Sequence, residues 1–368
     1  MNPLTPITRR RWLAAAAALT TTPLATSLAH AQAWPARPLR ILIGAPPGGT
    51  ADLVARLLAE GLLKDLGQTV IVDAKPGAAG LIAMQEFLGQ PADGHTLLVS
   101  VNALVTEIPH VLKLRFDPFR DVVPLADLSR SGLVLVANPA VPAKTVAELV
   151  AHAKTQPGKL SYASYSAGTI SHTMGLALNK AAGIELNHVP YKGSAPAMQD
   201  VMGGHVALMF DGPATSIPMI RAGKLRALAV SGTRRNPALP DVPTFIEQGY
   251  PMLDETAWMG LWVRPAVPAD VQLKVRQATL KVMAQPAVQA RLTELGNGLG
   301  SGATPEELVA QLRAAYDKQG ATLRALGVTA PISIDVPSGN SIVVIRPLSV
   351  TGWLRVNVVS IPAPSRPS

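Results

Sequence analysis

The chain has 368 residues, of which 48% are hydrophobic and 15% charged, and it contains no cysteine. These values allow about two globular domains, and they exclude a disordered chain, disulfides, thiolate catalysis and cysteine-rich metal sites. The formal net charge is +9, but basic runs with interleaved aromatic residues are lacking, which argues against a nucleic-acid partner and leaves a mild attraction for anionic solutes.

Residues 1–31 have the composition of a cleavable export signal. Three consecutive arginines at positions 9–11 precede a weakly apolar segment rich in alanine, leucine and threonine, and a small-x-small cleavage sequence follows at 29–31. The adjacent arginines also approximate a twin-arginine signal, and the sequence does not separate that route from general secretion. We therefore expect an exported, periplasmic protein.

Beyond this leader, short apolar segments alternate with amphipathic ones. Strands are predicted over residues 39–43, 70–72, 96–100, 133–137, 160–163, 206–210, 227–230 and 260–263. Helices are predicted over residues 51–66, 146–154, 170–182, 269–284 and 305–326, with another ending near residue 88. Thr145 is placed to cap one helix, and Gly183 to end another. The alternation predicts α/β layers around mainly parallel sheets.

Residues 329–368 differ in character from the rest of the chain. They contain β-like runs at 342–345 and 356–361, with prolines throughout. We interpret them as an addition outside the main domains, which leaves open an extra hairpin, an interaction tail or a sequence foreign to the domain. Nothing in them indicates chemistry.

Two glycine-rich loops follow the first two predicted strands. The first loop is Pro46-Pro47-Gly48-Gly49-Thr50-Ala51-Asp52, and the second loop is Pro76-Gly77-Ala78-Ala79-Gly80. Glycine lets the backbone approach a ligand, and the N–H groups at a helix N-terminus favour anions. Neither loop has the pattern of a nucleotide-binding motif. Each alone is also a plausible structural turn, but together they predict one ligand crevice at the carboxyl ends of neighbouring strands.

A segment rich in hydroxyl groups, residues 162–172, leads into the helix predicted from residue 170. Its serine and threonine oxygens and free N–H groups suit a neutral cradle for a carboxylate. A hydrolase is the alternative, with Ser164 as the nucleophile, His172 as the base and Asp211 as the orienting acid. The segment lacks a Gly-x-Ser-x-Gly elbow, so we favour binding over catalysis.

Two later segments add candidate ligand contacts. Tyr191 and Lys192 lie in a predicted turn, where the lysine either attracts an anion or is simply solvated. Asp211 ends a predicted strand, a position from which it can meet a ligand amino group or serve as a turn residue.

The order of several further motifs is informative when they are taken together. They include Trp34-Pro35-Ala36-Arg37-Pro38-Leu39-Arg40-Ile41, Ala92-Asp93-Gly94-His95-Thr96-Leu97-Leu98, Pro157-Gly158-Lys159-Leu160-Ser161-Tyr162-Ala163-Ser164, Val189-Pro190-Tyr191-Lys192-Gly193 and Leu239-Pro240-Asp241-Val242-Pro243-Thr244. With the two loops, this order resembles that of the substrate-binding receptors of the tripartite tricarboxylate transporter family, often called Bug receptors. The resemblance runs from about residue 34 to residue 328.

The resemblance implies a two-lobed periplasmic binding protein fold, type II-like, with the ligand cleft between the lobes. Lobe one would comprise residues 34–132 plus 258–328, and lobe two residues 133–257. The implied ligands are small organic anions, namely di- and tricarboxylates, acidic amino acids or aromatic acids. The implied partners are membrane transporter subunits, with a sensor kinase ectodomain as the alternative. We expect a monomer without cofactor, metal or catalytic residues.

The resemblance also implies a set of site residues. One end of the ligand would be met, largely through waters, by Pro47, Gly48, Gly49, Thr50, Asp52, Gly77, Ala78, Ala79 and Gly80. A carboxylate would be held by Ser164, Ala167, Gly168, Thr169 and His172, with Tyr191, Lys192 and Asp211 lining the pocket. This chain departs from the family at Tyr165, where glycine is frequent, and a tyrosine there either narrows the pocket or points away from it.

Overall fold

A computed structural model describes residues 34–328. The predicted export signal, residues 1–31, and the tail, residues 329–368, lie outside the described residues. Within 34–328 the chain forms two mixed β-sheets flanked by helices. The predicted α/β class is therefore confirmed.

The helices and strands alternate along most of the chain. The strands are β1 (Leu39–Ile43), β2 (Val70–Ala74), β3 (Thr96–Val101), β4 (Val123–Gly132), β5 (Val134–Ala137), β6 (Ser161–Ser164), β7 (Asn187–Pro190), β8 (Leu208–Asp211), β9 (Arg226–Val230), β10 (Thr256–Val263) and β11 (Gly298–Leu299). The α-helices are α1 (Thr50–Leu66), α2 (Leu81–Leu88), α3 (Ala103–Thr106), α4 (Ile108–Val111), α5 (Val146–Thr155), α6 (Ile170–Ala182), α7 (Ser194–Met202), α8 (Pro213–Arg221), α9 (Ala269–Met283), α10 (Pro286–Glu294) and α11 (Pro305–Ala325).

Each sheet forms the centre of one lobe. The sheet of lobe one has the strand order β11-β4-β10-β3-β1-β2, and that of lobe two has the order β7-β6-β8-β5-β9. In lobe one, β1 is parallel to β2 and β3, whereas β10 is antiparallel to β3 and β4. In lobe two, β6 is parallel to β7 and β8, whereas β5 is antiparallel to β8 and β9.

The prediction of mainly parallel sheets was therefore wrong, because both sheets are mixed. The chain runs directly from β4 into β5 and returns from lobe two into β10, and these connecting strands enter their sheets in the opposite direction. The alternation of strands and helices along a sequence does not tell whether neighbouring strands in a sheet run parallel or antiparallel. The predictions also missed β4, whose buried face includes polar residues such as Asp127 and Ser129, and the helices α7, α8 and α10.

Local sequence signals explain several of the helix ends. The Thr145 side chain accepts a hydrogen bond from the N–H of Glu148 at 3.1 Å and so caps α5, as predicted. Gly183 ends α6 in the left-handed conformation, also as predicted. Thr304 and Glu307 form a capping box at the start of α11.

The core of lobe two covers both faces of its sheet. One buried cluster includes Tyr162, Phe210 and Phe245, and a second cluster, which includes Met209 and Val201, covers the other face. Helices thus pack on both sides of the sheet and leave the carboxyl ends of its parallel strands open towards lobe one.

The connections between the lobes pack closely together. The N–H of Leu133 donates to Ser231 Oγ at 2.7 Å, and the N–H of Ser231 donates to the Leu133 carbonyl at 2.8 Å. Ser231 Oγ also donates to the carbonyl of Glu255, just before β10. A Cβ atom on Gly132 would lie 2.2 Å from the Ser231 carbonyl oxygen, so this crossing needs glycine. The two connections between the lobes and the segment just after β9 therefore share one set of hydrogen bonds. The exact lobe boundaries given above stay a prediction.

Candidate ligand-binding site

A cavity of about 1150 Å³ lies between the two lobes. Loops that follow β1, β2 and β3 line it from lobe one, and loops that follow β6, β7 and β8 line it from lobe two. The cavity thus lies at the carboxyl ends of the parallel strands, where open α/β sheets bind ligands. Its volume is slightly above the usual range for small-molecule pockets.

The structure brings most of the predicted site residues to this cavity. Those that line it are Gly49, Thr50, Gly77, Ala78, Ala79, Gly80, Ala167, Gly168, Thr169, His172, Tyr191, Lys192 and Asp211. Pro47, Gly48, Asp52 and Ser164 are not among the lining residues. Pro47 is exposed in the turn that precedes α1, and the placement of Gly48, Asp52 and Ser164 is described below. The ligand contacts of all these residues stay predictions.

The first loop is held in shape by a buried carboxylate. Asp52 is only 3% exposed, and its Oδ2 accepts hydrogen bonds from the N–H of Gly48 and from Nε of Arg56, each at 2.9 Å. Asp52 therefore stabilises the loop without lining the cavity. Thr50 and Ala51, in the first turn of α1, do line the cavity. N–H groups in a first turn have no acceptor within the helix and are available to an anion.

The second loop has an unusual backbone. Gly77, Ala78, Ala79 and Gly80 have consecutive positive φ angles of 125°, 45°, 55° and 91°. For alanine this conformation costs about 1–3 kcal/mol, and such strain is concentrated at functional sites. A Cβ atom on Gly44 would lie 2.5 Å from the Cα of Gly80, so the residue that follows β1 and leads into the first loop touches the second loop backbone to backbone.

In lobe two, the predicted carboxylate donors already have partners within the protein. Ser164 Oγ, fully buried at the end of β6, is hydrogen-bonded to Nε2 of His188 at 2.6 Å and to the Ser166 carbonyl at 3.1 Å. Thr169 Oγ1 donates to the same carbonyl at 2.7 Å, and the N–H of Gly168 donates to Nδ1 of His172 at 3.1 Å. These bonds shape the segment between β6 and α6.

Two histidines form hydrogen bonds with this segment, His188 with Ser164 and His172 with Gly168. The rings of His172 and His188 are stacked, with centroids 4.0 Å apart. Burial lowers the pKa of His172 to about 4, and burial together with the neighbouring His172 lowers the pKa of His188 to about 3. Both rings are therefore neutral at physiological pH and act as hydrogen-bond partners rather than as bases. The pattern of the sequence did not single out His188, which comes next to Ser164 only because β7 pairs with β6.

The hydrolase arrangement of Ser164, His172 and Asp211 was wrong. The partner of Ser164 is His188, and Asp211 instead accepts hydrogen bonds from hydroxyl groups of Ser194, Thr215 and Ser216. Asp211 is fully buried, and burial raises its pKa, whereas the hydroxyl donors act against that rise. Asp211 thus links the end of β8 to the N-termini of α7 and α8 through hydrogen bonds.

The lowered pKa values of the two histidines predict a pH-dependent stability. In the unfolded chain both would titrate near 6.5, so below that pH the unfolded state binds protons that the folded state does not, down to the folded pKa values of about 4 and 3. Stability contributed by these rings is therefore lost as pH falls. We expect up to about 2 kcal/mol for each ring between pH 6.5 and 5, measured by urea unfolding.

A variant comparison isolates this contribution from other groups. His188→Gln should show a smaller loss between pH 7.5 and 5 than the parent, whereas the exposed His205→Gln should keep the full loss. Glu107, whose pKa burial raises to about 7, acts in the opposite sense in this range and is common to all three proteins. Identical pH profiles for the parent and His188→Gln would contradict the prediction.

Glycines bring the two lobes into close contact around the cavity. A Cβ atom on Gly168 would lie 2.2 Å from Cγ2 of Val111, and one on Gly193 would lie 2.3 Å from the Pro46 ring. A Cβ atom on Gly212 would lie 2.7 Å from Oγ1 of Thr50. The first residue of each pair belongs to lobe two and the second to lobe one, so the structure has a closed cleft.

The central strands of lobe one supply lining residues that the sequence reasoning missed. They are Ser100, Ser129, Ser131, Trp258 and Met259, and Asn297 joins them from the residue just before the edge strand β11. Polar side chains inside otherwise apolar strands are the signal that would have pointed to the three serines. Tyr165, which the comparison with the family singled out, also lines the cavity, so its side chain narrows the pocket rather than avoiding it.

Residues 34–328 contain neither a membrane-spanning helix nor a cluster of metal-binding side chains. No helix in this range is long and apolar enough to cross a bilayer. The same range contains no group of three or more histidine, aspartate or glutamate side chains arranged to hold a metal ion.

A family model described as the tripartite tricarboxylate transporter family receptor matches residues 54–327. The chain belongs to this family. The resemblance seen in the motifs is thus confirmed, and the protein is a solute-binding receptor, not an enzyme. Receptors of this family are periplasmic.

Solved structures agree with this assignment. The receptor is 31% identical to the periplasmic binding protein BugD, with a TM-score of 0.77 and coverage of 80% of this chain and 99% of that one. It is 28% identical to Rpa4515 of R. palustris, solved with adipate (TM-score 0.78, coverage 81% and 100%). It is also 28% identical to MatC of Rhodopseudomonas palustris, solved with malate (TM-score 0.75, coverage 79% and 100%). The two-lobed periplasmic binding protein fold is therefore confirmed.

Proposed function

We propose that the receptor captures a small organic carboxylate in the periplasm and presents it to the membrane subunits of a tripartite transporter. The observation that carries the proposal is the closed cavity, where the N-terminus of α1 and the strained second loop meet. The adipate and malate in the relatives named above support a carboxylate as the ligand class.

The binding would rest on backbone donors and small side chains. The N–H groups of Thr50 and Ala51 and the positive end of the α1 dipole favour a carboxylate. The small residues of the second loop let the backbone approach the ligand closely. Lys192, exposed at the rim, would attract the anion during its approach.

The proposal also covers how the chain reaches the periplasm and how the membrane subunits recognise it. Residues 1–31 would direct the chain across the inner membrane, and ligand binding would stabilise the closed arrangement of the lobes. The membrane subunits would then recognise surfaces of both lobes that are brought together only on closure. Deletion of the receptor from its host should abolish uptake of the ligand that the purified protein binds.

The test uses a pair of variants that differ by one charge. Ala78 is exposed, lines the cavity and has a φ of 45°, which asparagine and aspartate tolerate better than most residues. A carboxylate introduced there would repel an anionic ligand, at about 1–4 kcal/mol for charges a few ångströms apart. Ala78→Asp should therefore bind carboxylates at least about fivefold more weakly than the isosteric Ala78→Asn.

The full exported chain would be unfolded and refolded to remove bound ligand, then titrated calorimetrically with mono-, di- and tricarboxylates, acidic amino acids and aromatic acids. A ligand at about 100 times its Kd adds about 2.7 kcal/mol of stability, so a thermal shift gives a second readout. Equal affinities of the two Ala78 variants would place the anion elsewhere. Failure of the folded parent to bind any carboxylate would overturn the proposed function.

A further inference from the structure

Tyr165 holds a central position in the cleft. It follows β6 directly, lines the cavity and packs against both buried clusters of lobe two, one on each face of the sheet. Its carbonyl accepts a hydrogen bond from the N–H of Gly193 at 2.9 Å. Contacts on both sides and a fixed backbone keep this side chain in place, so a ligand has to bind beside it.

The hydroxyl of Tyr165 lies at the N-terminus of α6. The N-cap residue Thr169 makes no capping bond, because its hydroxyl donates to Ser166. The N–H groups of His172 and Thr173 both donate to the Thr169 carbonyl. The Tyr165 hydroxyl lies near the N–H of Ser171 and the side chain of Thr169, and both act to lower the pKa of this phenol. The phenol therefore takes the place that an anion would need at this helix end.

The charges around this hydroxyl also disfavour an anion. Burial raises the pKa of Tyr165, and the carboxyl groups of Glu107 and Asp211 act in the same direction. Glu107 comes from lobe one and is 3% exposed, and Asp211 comes from lobe two and is fully buried. Among the described residues that line the cavity, Lys192 is the only lysine or arginine, and its side chain is exposed.

Donors for one carboxylate remain in lobe one. Thr50 and Ala51 present first-turn N–H groups of α1 to the cavity, next to the second loop. The cavity lining also includes apolar side chains, among them Leu104, Val111 and Trp258, beside the polar residues Ser100, Ser129, Ser131 and Asn297. Of these two helix N-termini, that of α1 is therefore open to an anion, whereas that of α6 is covered by a neutral phenol.

We propose that Tyr165 sets the ligand class of this receptor by filling the second anion position, so that it selects monocarboxylates with an apolar body over dicarboxylates. This proposal rests on the proposed function, since it specifies the ligand of the same site. A second carboxylate would lose its hydration without gaining a donor at α6, and a buried charge without a partner is strongly disfavoured.

The test compares ligands that share a carbon skeleton and differ only in the number of carboxylates. Butanoate and succinate, hexanoate and adipate, and benzoate and terephthalate would be titrated calorimetrically into the refolded full chain, into Tyr165→Gly and into Tyr165→Phe. The parent should bind the monocarboxylate of a pair at least tenfold more tightly. Tyr165→Gly, which frees the N-terminus of α6, should shift the ratio of the two affinities towards the dicarboxylate by tenfold or more.

Tyr165→Phe keeps the ring but removes the hydroxyl and should leave the monocarboxylate preferred, because the ring still fills the space. Circular dichroism would show that each variant is folded, and the ratio within the parent tests the proposal without any variant. A parent that binds the dicarboxylate of a pair as tightly as the monocarboxylate, or a Tyr165→Gly variant with the ratio of the parent, would overturn the inference alone. An absence of binding to all six acids by the folded parent would also overturn this inference, whereas the proposed function falls only if the parent binds no acid of the wider panel given above.

Discussion

Replacement of Gly168 by alanine is expected to weaken ligand binding by about 5- to 150-fold. The added Cβ would lie 2.2 Å from Cγ2 of Val111 across the closed cleft. Overpacking of this kind costs about 1–3 kcal/mol, and every 1.4 kcal/mol is about a factor of ten in affinity. The contact exists only when the lobes meet, so the open form escapes the cost and the population shifts away from closure.

Two controls separate this steric effect from backbone strain. Gly168 has a φ of +80°, and Gly302 has a φ of +73° with nothing within 4 Å of an added Cβ. Gly302→Ala should therefore lower the melting temperature to a similar degree and leave affinity unchanged. In the double variant Gly168→Ala/Val111→Ala, both methyl groups of valine are gone, and affinity should recover relative to Gly168→Ala. Unchanged affinity in Gly168→Ala, measured by calorimetry, would show that this contact does not accompany binding.

Replacement of Asp211 by alanine is expected to lower the free energy of unfolding by about 3–5 kcal/mol. This carboxylate joins the end of β8 to the first residue of α7, Ser194, and to the first turn of α8 through Thr215 and Ser216. Without it, Ser216 loses its acceptor in a buried site, and Ser194 and Thr215 keep only the Thr215 hydroxyl at 3.1 Å and the Gly212 carbonyl at 3.0 Å. Two helix N-termini also lose a favourable negative charge.

Urea unfolding at pH 7 would measure the effect, with Asp270→Ala as the control. Asp270 also lies in the first turn of a helix, but it is exposed and pairs only with Lys274, at 3.4 Å. Its removal should cost less than about 0.5 kcal/mol. The free energy of unfolding of Asp211→Asn should lie between those of the two alanine variants, since asparagine keeps one acceptor oxygen but adds an amide donor. Equal free energies of unfolding for Asp211→Ala and Asp270→Ala would contradict the stabilising role assigned to Asp211.

The sequence alone predicted most of the elements that surround the site. Strand β1 and helix α6 were predicted with the bounds that the structure has, since apolar periodicity is a local property that each segment carries. The capping role of Thr145 and the stop at Gly183 are local as well. The ordered motifs also identified the family correctly.

Tertiary structure decided the chemistry of the cavity. Ser164 meets His188 because β6 and β7 lie side by side, and Asp211 meets Ser194 because the start of α7 lies against the end of β8. Tyr165 was recognised from sequence as unusual, but only the packing of lobe two brings its hydroxyl to the N-terminus of α6. Periodicity determines which face of a segment is buried, whereas the partner of a side chain depends on how strands pair and lobes meet.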